Sequence, residues 1–177
     1  MPAPMPSTKR LLLMRHAKSA WPDDVPDHER PLALRGRKAA PAIAAYLPQH
    51  QLLPELALVS TAERTRETWL LMREALPAEI ETRYLDELYE ASCERLLDTL
   101  QALDADAATV MLIGHNPGLQ ELALRLTGSS HATERAAMAL KFPTAGLAVI
   151  DFEIGAWEAI VPGAGRLRHF VTPRSLG

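Results

Sequence analysis

The stretch Thr109-Val110-Met111-Leu112-Ile113-Gly114-His115-Asn116-Pro117-Gly118 decides the fold class. Its first five residues are a short run rich in β-branched and apolar side chains, which reads as a buried strand. Asn116 then offers a side-chain oxygen suited to an N-cap, and Pro117 fits the first helical position, where its missing N–H costs nothing. Leu119, Leu122, Ala123 and Leu126 follow at helical spacing, and Gly128 is expected to stop the helix. Strand, polar turn and helix thus occupy fewer than about two dozen residues, the βα unit of a parallel sheet.

The same alternation extends in both directions. Apolar runs predict strands at 10–14, 56–60 and 146–153, a weaker one at 80–85 and a last short one at 157–161. Between them, 34–47 reads as an Ala-rich helix that Pro41 bends or begins. Ser60 through Glu63 reads as a capping box that opens a helix over 62–76, and Ser92 as the cap of a helix over 92–103. Phe152 to Trp157 suggests a tight turn leading to an antiparallel edge strand. The expectation is an α/β fold, a three-layer α/β/α sandwich around a mostly parallel sheet with an antiparallel edge strand, formed by one domain over 9–177 behind a flexible tail at 1–8.

Composition narrows the class. The 177 residues are 47% hydrophobic and 23% charged, with 9 Gly and 14 Pro in no short period, so neither a collagen-like nor a disordered chain fits. A formal charge of −3 argues against a broad nucleic-acid footprint or an anionic-membrane dock. A lone Cys93 excludes an internal disulfide and a cysteine-rich metal centre, and reads as filler near a helix start. No signal-like or membrane-spanning run is present, and the expectation is a cytoplasmic protein without a metal or other cofactor.

The polar residues that interrupt this pattern collect at one edge. Arg15 and His16 end the first strand, Arg64 lies just after the second, and His115 ends the fourth. In an open α/β sheet the carboxyl ends of the strands are where ligands bind. Two guanidinium and two imidazole groups there, with helix N-termini alongside, describe an anion pocket suited to phosphate. The chain has no Walker-type glycine loop, no obvious magnesium-binding carboxylate pair and no His-x-x-x-His. Covalent catalysis remains: a neutral imidazole can accept a phosphoryl group in line and pass it to water.

Four segments in order, LLLMRHAKSAW, STAERTRET, LDELYEAS and VMLIGHNPG, carry a resemblance to the histidine phosphatase superfamily, whose fold is phosphoglycerate-mutase-like. Within it the chain is similar to the short phosphohistidine phosphatases of the SixA type, from about residue 9 to the terminal FVTPRSLG. The resemblance implies that His16 is the nucleophile, that Arg15 and Arg64 clamp phosphate, and that His115 is a second phosphate-binding imidazole. Glu87 falls where mutase-like relatives carry a proton donor, with Glu90 as the alternative. Ala17 stands where the superfamily usually has Gly, and Thr61 where it often has Pro. The larger relatives insert a helical segment over the pocket, for which this chain has little room.

Lys18, Ser19 and Asn116 are further candidate substrate contacts, Lys18 and Ser19 having an exposed loop as their other reading. For Arg64 the competing reading is a surface pair with Glu63 or Glu67. The polar loop from Trp21 to Pro31 reads as pocket rim, and His28, His50, His131 and His169 as surface or satisfied histidines. The implied activity is a cofactor-independent phosphatase acting on phosphohistidine of a protein partner and releasing phosphate. The alternatives are a phosphatase of a small phosphorylated metabolite and, from another class, a non-catalytic phosphoprotein-binding module. The oligomeric state is not readable from the sequence.

Overall fold

The computed structural model describes residues 7–128 and 132–176. Six strands form one sheet: β1 (Lys9–Arg15), β2 (Leu56–Ser60), β3 (Glu81–Leu85), β4 (Thr109–Gly114), β5 (Leu147–Phe152) and β6 (Arg166–Val171). Their spatial order is β3-β2-β4-β1-β5-β6. The first four run parallel, while β5 pairs antiparallel with β1 and β6 antiparallel with β5. Five helices, α1 (Leu34–Gln49), α2 (Glu63–Ala75), α3 (Cys93–Gln101), α4 (Gly118–Leu126) and α5 (Ala132–Leu140), cover the two faces.

The central strands are apolar at nearly every position because both faces are covered. Successive side chains still alternate between two separate cores. Leu11, Leu13, Leu112 and Ile150 pack with Leu96, Leu119, Leu122 and Met138 of α3, α4 and α5. Leu12, Met14, Ile113 and Val149 pack with Ile43, Trp69 and Met72 of α1 and α2. Each such Leu or Met, wholly buried, contributes about 1.5–3 kcal/mol of apolar burial. None of the helices described is long and apolar enough to cross a membrane.

Register places the site. Arg15 lies opposite Gly114, and Val59 opposite Ile113, so β1, β4 and β2 end level with one another. From these adjacent ends the chain departs to opposite faces, toward α1 after β1 and toward α4 after β4, which opens a crevice between them.

Several local expectations are corrected. The strand expected at 157–161 is a short 3-10 turn at Trp157–Ala159, whose indole is buried and donates to the Ala107 carbonyl oxygen at 2.9 Å. The edge strand is instead β6, reached through the long connection 153–165 rather than a tight turn. Its pattern, with exposed Arg166 and Arg168 between Leu167 and neighbours covered on one side, gives it little apolar signal. Helix α5, not anticipated, buries only Met138 among its residues. Ser60 does not cap α2: the helix begins at Glu63 after Ala62, and no side chain caps it. Asn116 does not cap α4 either, because its Nδ2 donates to the Phe142 carbonyl oxygen at 2.9 Å and the helix starts at Gly118. Ser92 does cap α3, accepting from the Arg95 amide, and Cys93 beside it is buried. Residues 1–6 of the expected tail and His131 lie outside the described residues.

Candidate active site

His16 follows β1 and is buried, with its Nδ1 2.8 Å from the Ala17 carbonyl oxygen. A carbonyl only accepts, so Nδ1 carries the proton and the lone pair is on Nε2. Burial first, and then the positive charges of Arg64, Arg15 and Arg30, push the imidazole down to about 4, so it is neutral at physiological pH. The turn beneath it is pinned to α2: the Ala17 amide donates to Thr68 Oγ1 at 3.0 Å, and that hydroxyl donates to the Arg64 carbonyl oxygen at 2.7 Å.

His115 follows β4, its ring centroid 5.4 Å from that of His16. Its Nε2 lies 2.7 Å from Ser60 Oγ, while its Nδ1 is buried with no protein partner. Burial, followed by His16 and Arg64, pushes this imidazole down to about 3. Ser60 is therefore a site residue at the end of β2.

Arg64 is buried in α2, not paired on a surface. Its Nη1 donates to the Asp27 carbonyl oxygen at 2.7 Å and its Nη2 to Asp27 Oδ2 at 3.1 Å, leaving a buried Nε without a partner. Glu67 is occupied by Arg37 and the Leu32 amide, and Arg66 donates to the Thr61 carbonyl oxygen. Arg15 donates from Nη1 to the Phe142 carbonyl oxygen at 3.1 Å, and its Nε is likewise buried and unpartnered. Burial first, and then the positive charge of the neighbouring Arg64, lower its pKa. Two guanidinium N–H groups and one imidazole nitrogen, buried and without a protein partner, belong to residues at the ends of adjacent elements, a donor set whose chemistry suits the cradling of a tetrahedral oxyanion.

The rim loop supplies residues that sequence spacing did not reveal. Asp27 accepts from Arg64, from Arg30 Nε at 3.1 Å and from the Tyr89 hydroxyl at 2.5 Å. These bonds, led by that of Tyr89, hold its carboxyl at about 2. Tyr89 stands edge-on to His115 and to His28, which itself contacts Thr61. Asp27 and Tyr89 sit in irregular segments with no periodicity, and only the Pro-bounded loop had marked a rim.

A cleft of about 480 Å³ opens here, lined by Asp27, Arg64, Glu90, His115 and Asn116 among others. Asn116 Nδ2 bonds the same Phe142 carbonyl as Arg15, and its buried Oδ1 has no partner. The other expected contacts are elsewhere. Glu87 is exposed and lines a separate depression with Arg83, Arg95 and Asp98, because the 3-10 turn Asp86–Leu88 points Leu88 into the core; the carboxylates on the cleft are Asp27, Glu90 and Glu121. Ser19 is buried and accepts from Arg30 Nη1 at 3.0 Å, so its hydroxyl braces the rim. Lys18 is exposed and faces a different cavity.

The sequence profile of the Histidine phosphatase superfamily (branch 1) matches residues 11–96. An uncharacterized protein of Mycobacterium tuberculosis is 35% identical over 163 residues, which is 91% of this chain and all of that protein. The chain belongs to the histidine phosphatase superfamily. Among solved structures it is similar to one assigned as the phosphohistidine phosphatase SixA of Nakamurella multipartitia, with 29% identity, a TM-score of 0.82, and 94% of this chain and 97% of that one covered. A structure with the same assignment from Agrobacterium tumefaciens shares 34% identity with a TM-score of 0.78, covering 93% of this chain and 98% of that one. The α/β sheet with its antiparallel β5 and β6 is accordingly phosphoglycerate-mutase-like. In this superfamily member the two segments that carry the resemblance most specifically, Arg15-His16 and Gly114-His115-Asn116-Pro117, meet at the level ends of β1 and β4.

Proposed function

We propose that the chain is a phosphatase that works through a phosphohistidine on His16, with phosphohistidine of a partner protein as its substrate. The observation that carries this reading is the His16 tautomer: the bond to Ala17 leaves an unprotonated Nε2 beside two guanidinium groups with free N–H donors. The Nε2 lone pair attacks phosphorus in line, and the bond from phosphorus to the leaving group breaks with its electron pair. The Nε of Arg15 and of Arg64 donate to the equatorial oxygens. His115 joins them when the Ser60 hydroxyl donates to its Nε2, since the proton then resides on the unpartnered Nδ1. Water next attacks the phosphohistidine, giving inorganic phosphate and neutral His16.

The leaving group distinguishes the substrates. A phosphohistidine already protonated on its other ring nitrogen releases neutral imidazole, with a conjugate-acid pKa of about 6.5, and needs no further proton, whereas an alkoxide does. Glu90, one of the carboxylates lining the cleft, would give one, and a small phosphomonoester is the second reading. The similarity to the SixA-assigned structures supports the first.

Rapid-quench labelling with a radioactive phosphoryl donor tests the mechanism. An acid-labile, alkali-stable phosphoenzyme is expected in the wild type and is absent from His16→Ala, which folds and still binds vanadate. Turnover persisting in His16→Ala, with no trapped intermediate, refutes it. Comparing phosphohistidine with alkyl phosphates as substrates of the wild type decides between the two readings.

A further inference from the structure

A second cavity, of about 340 Å³, lies on the other side of the nucleophile's turn. Four cations from four separate segments meet there: Lys18 after β1, Arg35 at the start of α1, Lys141 after α5, and Arg174 in the C-terminal turn. All four are exposed, and among the described residues none has a carboxylate partner and no carboxylate lines the cavity. A chain of formal charge −3 has thus gathered unpaired positive charge at one place.

The cavity is joined to the active site by backbone. Lys18 is two residues from His16, and Lys141 and Pro143 flank Phe142, whose carbonyl holds both Arg15 and Asn116. The Ala145 amide donates to the carbonyl oxygens of Arg15 and His16. Neighbouring residues and backbone bonds thus connect the lining of this cavity to Arg15, His16 and Asn116.

Its chemistry fits carboxylates on a polypeptide. The cations are exposed and spread over four segments, in contrast to the buried, unpartnered N–H groups of Arg15 and Arg64. Between them Pro143, Pro173 and Ala39 give apolar walls, which match the methylene stems of Asp and Glu side chains. The ladder that pairs residues 18–20 with 31–33 carries exposed Trp21 beyond one end and exposed Leu34 beyond the other. Leu34 directly precedes Arg35 of the cavity lining, which puts an exposed apolar side chain next to the charge, as at protein-docking surfaces, while Trp21 stacks on Arg30.

We propose that this basic cavity docks an acidic segment of the protein that delivers its phosphoryl group to His16. The proposal rests on the phosphohistidine-protein reading and names the partner's chemistry: carboxylates adjoining the phosphorylated residue. The salt-screened attraction raises the rate of encounter and selects this partner over neutral ones.

Fluorescence anisotropy with a labelled hexaglutamate peptide, and with hexaglutamine as its neutral counterpart, tests the cavity without requiring phosphoryl transfer. Wild-type protein should bind the acidic peptide in preference to the neutral one, with affinity falling as salt rises. Arg35→Glu with Arg174→Glu should weaken that binding by about tenfold, each reversed charge replacing an attraction with a repulsion. Arg166→Glu, a single charge reversal on the exposed edge strand β6, should have little effect. Hydrolysis of an aryl phosphate should be unchanged in all variants, showing an intact fold and cradle. Equal binding of the two peptides, or a loss no greater than that of Arg166→Glu, overturns the proposal. A wild type that binds hexaglutamate through Arg35 and Arg174 but does not hydrolyse phosphohistidine upholds the acidic-ligand site and refutes the substrate reading alone.

Discussion

Lowering the pH from about 7.5 to about 5.5 should destabilise the protein by about 2.7 kcal/mol through His16 and His115 alone. Both rings are buried, and their pKa values fall from 6.5 to about 4 and about 3 in the fold. Between the folded and unfolded values the unfolded chain binds a proton that the folded one does not, so stability rises with pH across that window. One pH unit below the unfolded value, protonation of the unfolded state is worth RT ln 11, about 1.4 kcal/mol per histidine, while the folded rings remain neutral. Asp27, held at about 2, adds nothing above about pH 5. That loss is a large part of the roughly 5–15 kcal/mol of a typical domain. Urea unfolding at the two pH values measures it in the wild type and in His16→Gln, His115→Gln and the double variant. Each substitution should remove about 1.4 kcal/mol of the pH-dependent difference, whatever it does to stability at neutral pH. Other titrating groups, such as His169, whose pKa burial also lowers, are present in every variant and cancel. A double variant with the same pH-dependent loss as the wild type refutes the claim that both rings are neutral in the fold.

Arg64→Ala should lower turnover of an aryl phosphate by about 10²–10³, the scale of removing one transition-state donor, and a loss below about tenfold would return Arg64 to a structural role. Glu90→Gln should reduce hydrolysis of an alkyl phosphate by about 10²–10⁴ with far less effect on phosphohistidine, while Glu87→Gln leaves both near wild type; the reverse ranking in steady-state assays would move the acid to Glu87. Gly36→Ala should cost about 1–3 kcal/mol in urea unfolding, because its new methyl would collide with the Lys18 carbonyl oxygen where α1 crosses the turn after His16. An unchanged midpoint would show that this close approach is not required.

The sequence by itself determined the parallel core of the fold. Runs such as Leu11 to Met14 and Val110 to Ile113 are buried on both faces, and a strand with no polar side to show is recognisable from its own residues. It also determined which polar side chains interrupt those runs at their carboxyl ends, and hence that Arg15, His16, Arg64 and His115 share one edge. β6 and α5 were not legible, since each has one side open to solvent and carries a weak apolar pattern whose partner is supplied by a distant element. The caps expected of Ser60 and Asn116 are local preferences that long-range bonds displaced: Ser60 answers to His115, fifty-five residues on, and Asn116 to Phe142. Only the tertiary structure could decide the His16 tautomer, the Asp27 brace on Arg64 and the choice of Glu90 over Glu87 at the cleft. It alone brought Lys18, Arg35, Lys141 and Arg174 to one cavity. Periodicity reports the faces of an element, whereas the direction of a single side chain and the neighbours it meets depend on how separate elements pack.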